Sequence, residues 1–338
     1  MSVLTLPKPY LLFLGATTNP VLAKTAFGLK DWAGEDCVAE WTLPGASVTT
    51  GLPHMDPRAA AAAGAKSLVI GVAPVGGKLQ PDWVAPLVEA LEAGLDLVSG
   101  MHDRLEKSPE IAETAARLGR RLINIRTPAP PTETGSGEKR TGKRLLTVGL
   151  DCAVGKKYTA LCLARAFKAR GVAAHFRATG QTGILIAGEG VPLDSVVADF
   201  LSGYAEQLSP NAAPDHWDVI EGQGSLFHPA YAAVTLGLVH GSQPDLMVLC
   251  HEAGRTRIDG LEAYPIPSLT HAAAEYLRAA RLTNPNARIA GVSLNTASLD
   301  EAAARKALTD AQAELGVPAA DPLRGLGLDA LVDACLAV

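Results

Sequence analysis

The hydrophobic positions of the chain fall into short apolar runs separated by amphipathic stretches. Before residue 126, Leu11-Leu12-Phe13-Leu14-Gly15, Ser67-Leu68-Val69-Ile70-Gly71-Val72, Leu95-Asp96-Leu97-Val98-Ser99 and Arg121-Leu122-Ile123-Asn124-Ile125 read as buried strands. Between them, Met55 to Ala65 is alanine-rich, while Trp83 to Ala93 and Pro109 to Leu118 carry apolar residues at i, i+3 and i+4. Strand and helix alternate, which predicts a parallel sheet crossed by helices. Thr127 to Arg140 then loses all periodicity and is dense in Pro, Gly, Ser and charge, the composition of a linker.

The alternation resumes beyond it. Leu145 to Leu150 is an apolar strand, and Thr159 to Arg170 has helical spacing. Ala173 to Arg177 is a strand followed by the polar loop Thr179-Gly180-Gln181-Thr182-Gly183, and Val191 to Phe200 reads as a helix start with Asp194 as its N-cap. Trp217 to Ile220, Asp245 to Cys250 and Arg288 to Thr296 are further strands with polar ends. Ala302 to Leu315 and Leu328 to Leu336 are the last helical patterns.

The stretch from Leu145 to Thr159 carries the clearest chemistry. An apolar strand feeds Gly149-Leu150-Asp151-Cys152-Ala153-Val154-Gly155-Lys156, and a helix follows, so backbone N–H groups of the loop and first turn converge on one spot suited to phosphate. The spacing departs from G-x-x-x-x-G-K-[ST] by one residue, and Lys157 replaces the hydroxyl that binds Mg²⁺; the next hydroxyl is Thr159. Such a loop is expected to hold a diphosphate without cleaving it. Lys156 is read as an exposed loop lysine. The fold class expected is α/β, a Rossmann-like domain over residues 1–126 without the dinucleotide fingerprint, a linker over 127–143, and a P-loop NTPase-like domain with a mainly parallel sheet over 144–338.

Composition narrows the function classes. At 338 residues, 48% hydrophobic and 19% charged, the chain can build two compact domains, and it has no apolar run long enough for a membrane span. The first residues lack a signal-peptide pattern, so a cytoplasmic location is expected. Five cysteines without paired spacing argue against a disulfide framework or a structural zinc site, and no bound metal is expected. A net charge of −5 without a basic cluster outside the linker speaks against nucleic acid as a partner.

Other polar groups fall at strand ends. Glu221, in Glu221-Gly222-Gln223-Gly224-Ser225, ends a strand where a carboxylate approaches phosphate, or else caps the turn. His251 and the guanidinium groups of Arg255 and Arg257 end another, a set suited to anions. Asp199 faces either solvent or the cleft. In the first domain, Thr17, Asn19, Gly76 and Gly77 lie in loops read first as plain turns and otherwise as the lining of a cleft, and His102 as a loop histidine.

With the loop at Gly149 to Lys156 and the later Glu221-Gly222-Gln223-Gly224, the second domain resembles the dethiobiotin-synthetase-like class of phosphate-loop proteins. Together with Ala178 to Gly188, Val197-Ala198-Asp199-Phe200 and His251-Glu252-Ala253-Gly254-Arg255, the whole chain resembles a two-domain family long described only as of unknown function. One branch of that family is the D-glutamate N-acetyltransferases. The resemblance implies acetyl-CoA as donor, D-glutamate as acceptor and a racemase-like companion in D-glutamate catabolism.

On that reading, Gly149 and Asp151, Cys152, Ala153, Val154, Gly155, Lys156, Lys157 and Tyr158 hold the donor. Glu221, Asp199 and His251 are the base candidates, and Gln181, Thr182, Arg255 and Arg257 hold the amino acid. A homodimer or higher homo-oligomer is expected. The alternative is an ATP/Mg²⁺-dependent ligase or kinase acting on a small carboxylate or amine, with Thr159 supplying the missing hydroxyl.

Overall fold

The computed structural model describes residues 4–74, 77–127 and 133–337, so Gly76 and linker residues 128–132 lie outside the described residues. The chain forms two compact units, residues 2–129 with 181–195 and residues 130–180 with 196–338.

The first unit is built on five parallel strands, β1 (Tyr10–Gly15), β2 (Cys37–Thr42), β3 (Ser67–Ile70), β4 (Asp96–Ser99) and β5 (Leu122–Asn124), in the order β2-β1-β3-β4-β5. Helices α1 (Lys24–Trp32), α2 (Pro57–Ala62), α3 (Val84–Glu92) and α4 (Pro109–Leu118) provide crossovers. The order reverses between β1 and β3, and such a switch point opens a crevice at the carboxyl ends of the strands. Strand β2 was not legible from the apolar pattern because Glu40 interrupts it. Its carboxylate is buried, satisfied by the Thr49 hydroxyl and by the Thr50 N–H and hydroxyl at 2.6 and 2.5 Å.

Residues 181–195 depart from the sequence reading. Gln181 to Gly183 open a helix, α6 (Gln181–Ala187), where a loop was expected, and α6 packs against α1. The Tyr10 hydroxyl donates to the Leu185 carbonyl at 3.3 Å, and Glu189–Gly190 pairs antiparallel with Leu4–Thr5. No helix runs from Val191 to Phe200. The Asp194 carboxylate is engaged by the Arg126 guanidinium, 3₁₀ turns form at Leu193–Ser195 and Ala198–Phe200, and the helix α7 begins only at Leu201 (Leu201–Leu208).

The second unit has six parallel strands, β6 (Lys143–Gly149), β7 (Ala174–Arg177), β8 (Trp217–Ile220), β9 (Leu246–Glu252), β10 (Arg288–Asn295) and β11 (Ala319–Ala320), in the order β11-β10-β9-β6-β8-β7. Helix α5 (Lys156–Ala169) buries Ala160, Leu163 and Phe167 against Leu145, Val219 and Val248, with Phe167 edge-on to Trp217. The other helices are α8 (Ala232–Ser242), α9 (Leu269–Ala280), α10 (Glu301–Leu315) and α11 (Leu328–Leu336). The described part of the linker is docked on this unit. Ser136 and Gly137 N–H groups donate to Glu206 at 2.9 and 2.8 Å, and Arg140 donates to the carbonyls of Ser209 and Gly241. No helix among the described residues is long and apolar enough to cross a membrane.

Candidate functional site

Strand β6 lies at the centre of its sheet, and the loop leaving its carboxyl end carries the predicted anion site. Ala153 has φ +56° and Gly155, which precedes α5, has φ +103°. A non-glycine residue held in the left-handed region is a strained choice, and such local cost is typical of loops whose N–H groups must point at a ligand.

Asp151 fastens the loop. It is fully buried; Oδ1 accepts from its neighbour's N–H at Cys152 (2.6 Å), and Oδ2 accepts from Arg255 Nη1 and from the Asp259 N–H, both at 2.9 Å. Arg255 also donates to the Cys152 carbonyl at 3.1 Å and pairs with Glu252. Its planar fork thereby ties β9 to the phosphate loop. Arg257 is exposed on a two-stranded hairpin, Arg257–Ile258 with Leu261–Pro265, where it donates to the Glu262 carbonyl.

Lys156 is buried, not exposed as its place in a loop implied: it is 7% accessible, and its ammonium donates to the Asp151 carbonyl at 2.7 Å. The aliphatic stem passes Gly222, where an added Cβ would come within 3.0 Å of the Lys156 Cδ and 1.8 Å of the Thr147 carbonyl. Only glycine fits there, which explains one element of Glu221-Gly222-Gln223-Gly224. Burial pushes the Lys156 pKa down, opposed by the nearby Asp151 and Glu221 carboxylates. Lys157 lies over the Tyr158 ring, its Nζ 4.5 Å from the centroid. Thr159 is buried and shares a 2.7 Å hydrogen bond with the Ser293 hydroxyl, so the nearest Ser/Thr hydroxyl after the Gly-Lys pair faces the core.

Of the three base candidates, two adjoin the loop. Glu221 is buried at the end of β8, and its Oε2 accepts from the N–H groups of Thr179 and Gly180 at 2.9 and 3.0 Å. His251, on β9, is pushed to lower pKa by burial and then by the Arg255 charge, and its Nδ1 is buried without a hydrogen-bond partner. Asp199 lies exposed on a 3₁₀ turn, and among the described residues no hydrogen bond joins it to either. Gln181 and Thr182 open α6 in the other unit.

The structure adds a residue that the sequence did not single out. His228, only 6% accessible, brings a ring nitrogen, the Cys152 sulfur and an Asp151 carboxylate oxygen within 4.8 Å of one another. Its Nδ1 accepts from the Ala230 N–H at 3.1 Å, and its ring stacks at 4.5 Å on Tyr231. With Nδ1 accepting, the ring proton of the neutral imidazole resides on Nε2, making His228 a donor. The three groups match metal-ligand types, but both Asp151 oxygens already receive N–H donors and the Lys156 and Arg255 cations adjoin them. That donor-rich surround favours an anion over a cation. Tyr276, from α9, braces the same loops, donating to the Gly149 carbonyl at 2.6 Å and accepting from the Leu226 N–H at 3.3 Å.

Residues 132–332 match a family model described as a domain of unknown function, the DUF1611 P-loop domain, and residues 40–128 match its Rossmann-like amino-terminal companion. The chain belongs to the DUF1611 family. A crystal structure of a DUF1611 family protein from Anabaena variabilis superposes with a TM-score of 0.86 at 35% identity, covering 98% of this chain and 100% of that one. A D-glutamate N-acetyltransferase of Tritonibacter scottomollicae is 49% identical over 98% of this chain and 99% of its own length. A second D-glutamate N-acetyltransferase, from a Pseudoalteromonas species, is 47% identical over 96% of this chain and 97% of its own.

Proposed function

We propose that the protein is an N-acetyltransferase that moves the acetyl group of acetyl-CoA to the amino group of D-glutamate. The reading is supported by near-full-length similarity to two proteins of that activity. The observation that carries it in this chain is a phosphate loop with its Lys156 intact while Lys157 stands at the usual hydroxyl position and Thr159 is turned to Ser293. Such a loop suits the diphosphate of a carrier that is held and released unchanged.

The nitrogen–carbon bond forms as the carbon–sulfur bond breaks; the ammonium gives up two protons, one to the base before attack and on to solvent, the other as the tetrahedral intermediate collapses, when the departing sulfur gains one. His251 is assigned as the proton acceptor because burial beside Arg255 keeps its imidazole neutral and its Nδ1 has no partner. Glu221 is assigned to holding the Thr179–Gly180 turn. His228 is assigned as donor to the acetyl oxygen, where negative charge develops during attack.

Free-thiol release from acetyl-CoA with D-glutamate, L-glutamate and no acceptor tests the reading. Release with D-glutamate that persists in EDTA is expected. Dependence on ATP, with turnover lost in EDTA and restored by Mg²⁺, overturns it in favour of a ligase. A second expectation concerns pH. His251 acts as the base only when neutral, and its pKa is lowered, so the acid limb of kcat/KM should fall below the ordinary imidazole range near 6.5. The limb should disappear from the residual activity of His251→Ala; an unchanged limb assigns the proton to another group.

A further inference from the structure

The first unit contains a cavity of about 210 Å³ at the carboxyl ends of β3 and β4, beside the switch point of its sheet. Val72 and Met101 give it apolar walls, while Thr25, Arg126 and Gln181 bring polar groups into it, and His102 stands at its edge. Two glycines make room for that lining. A Cβ at Gly100 would lie 2.3 Å from the Gln181 Oε1, and one at Gly77, whose φ is +60°, would lie 2.7 Å from the His102 Cδ2. The backbone is thus shaped to let these side chains approach.

Two donors in the cavity are left over by the fold. Thr25 is only 7% accessible, and its hydroxyl has no hydrogen-bond partner among the described residues. A hydroxyl that the fold leaves facing the cavity is completed by the molecule that fills it, water or ligand. Arg126 is held on one side, its Nε donating to the Gly100 carbonyl at 3.0 Å and its Nη1 pairing with Asp194. Its Nη2 has no partner among the described residues, so a fixed, charged N–H group remains to be met. Guanidinium and hydroxyl donors together select a carboxylate. The cavity has room for a molecule of amino-acid size.

We propose that this cavity binds an acidic amino acid, with one carboxylate received by Arg126 and the Thr25 hydroxyl. The choice of the amino acid rests on the acetyltransferase reading; the carboxylate selectivity rests on the cavity alone. Gln181, whose amide lies against Gly100, lines the polar end of the same cavity.

Calorimetric titration of the full-length protein with D-glutamate, N-acetyl-D-glutamate and glutarate tests the proposal, with wild type, Thr25→Val and Arg126→Gln compared and melting curves as fold controls. Thr25→Val removes a hydroxyl that contributes no internal hydrogen bond, so the fold should hold while D-glutamate binds about ten-fold or more weakly. Arg126→Gln should weaken all three ligands. An unchanged Kd for D-glutamate in Thr25→Val overturns the assignment, as does failure of wild type to bind any of the three. Glutarate binding that is sensitive to both substitutions, in a protein that releases no thiol from acetyl-CoA, keeps the carboxylate site and removes the acetyltransferase reading. D-glutamate-dependent thiol release with an unaltered KM in both variants does the reverse.

Discussion

Replacing Lys156 by methionine is expected to weaken acetyl-CoA binding about ten- to hundred-fold, the worth of a charge-assisted hydrogen bond, while the melting temperature stays level or rises. The two effects part because the side chain is buried. Its ammonium has one carbonyl, that of Asp151, as its hydrogen-bond acceptor, and burial drives its pKa down. A lysine whose folded-state pKa lies below its unfolded value costs stability wherever the unfolded chain would hold the proton. Between the two values the unfolded state binds more protons, so wild-type stability should climb as pH rises through that window. Lys156→Met keeps the stem that packs along Gly222 and removes the slope. Glu221 is not stranded by the change, because its carboxylate retains the N–H groups of Thr179 and Gly180. Calorimetry for acetyl-CoA and melting curves across alkaline pH check both halves. A strong drop in melting temperature at neutral pH would make Lys156 a structural residue, and an unaltered Kd would remove the phosphate-loop assignment.

The elements legible in the sequence were those with unbroken periodicity. Strands β1, β3 and most of β9 are nearly unbroken apolar runs, as strands buried on both faces of a parallel sheet tend to be, and β4, β6 and β8 keep an apolar pair or more beside buried polar residues such as Asp96, Arg144 and Asp218. Strand β2 was hidden because Glu40 sits inside it, a carboxylate tolerated only because Thr49 and Thr50 fold back to solvate it. The phosphate loop was legible because glycine spacing and a Gly-Lys pair are local signals. The exchange of residues 181–195 into the first unit was not. It depends on Tyr10, Arg126 and Leu6 meeting Leu185, Asp194 and Gly188, contacts between positions far apart in the chain. For the same reason Asp194 looked like a helix cap, although its carboxylate is engaged by Arg126. The site shows the same limit. His228 follows Glu221 by seven positions in a loop with no period, and only the fold brings it to Cys152 and Asp151. Thr25 and Arg126 lie a hundred residues apart and carry no motif, yet both reach one cavity.

Replacing His228 by alanine is expected to lower kcat about 10²- to 10³-fold with little change in KM for either substrate. The ring is held from two sides, by the Ala230 N–H at Nδ1 and by Tyr231 stacked at 4.5 Å, so Nε2–H is a donor placed before the reaction starts. A donor fixed in this way stabilises the oxygen most when charge develops on it, in the transition state, and therefore acts on kcat more than on ground-state binding. His228→Gln presents an amide N–H near the same place and should recover part of the rate. The competing role is a base that draws a proton from Cys152, with the acetyl group then carried on its sulfur. Two observations weigh against it: Nδ1 is already an acceptor for Ala230, and burial raises the Cys152 pKa against the pull of Lys156, which keeps the thiol protonated. The two roles separate on Cys152→Ala. Retention of most activity is expected if His228 acts as donor. Loss of turnover in Cys152→Ala, with a stable acetyl adduct trapped on the wild-type sulfur from acetyl-CoA alone, would make Cys152 the acyl carrier and His228 its partner.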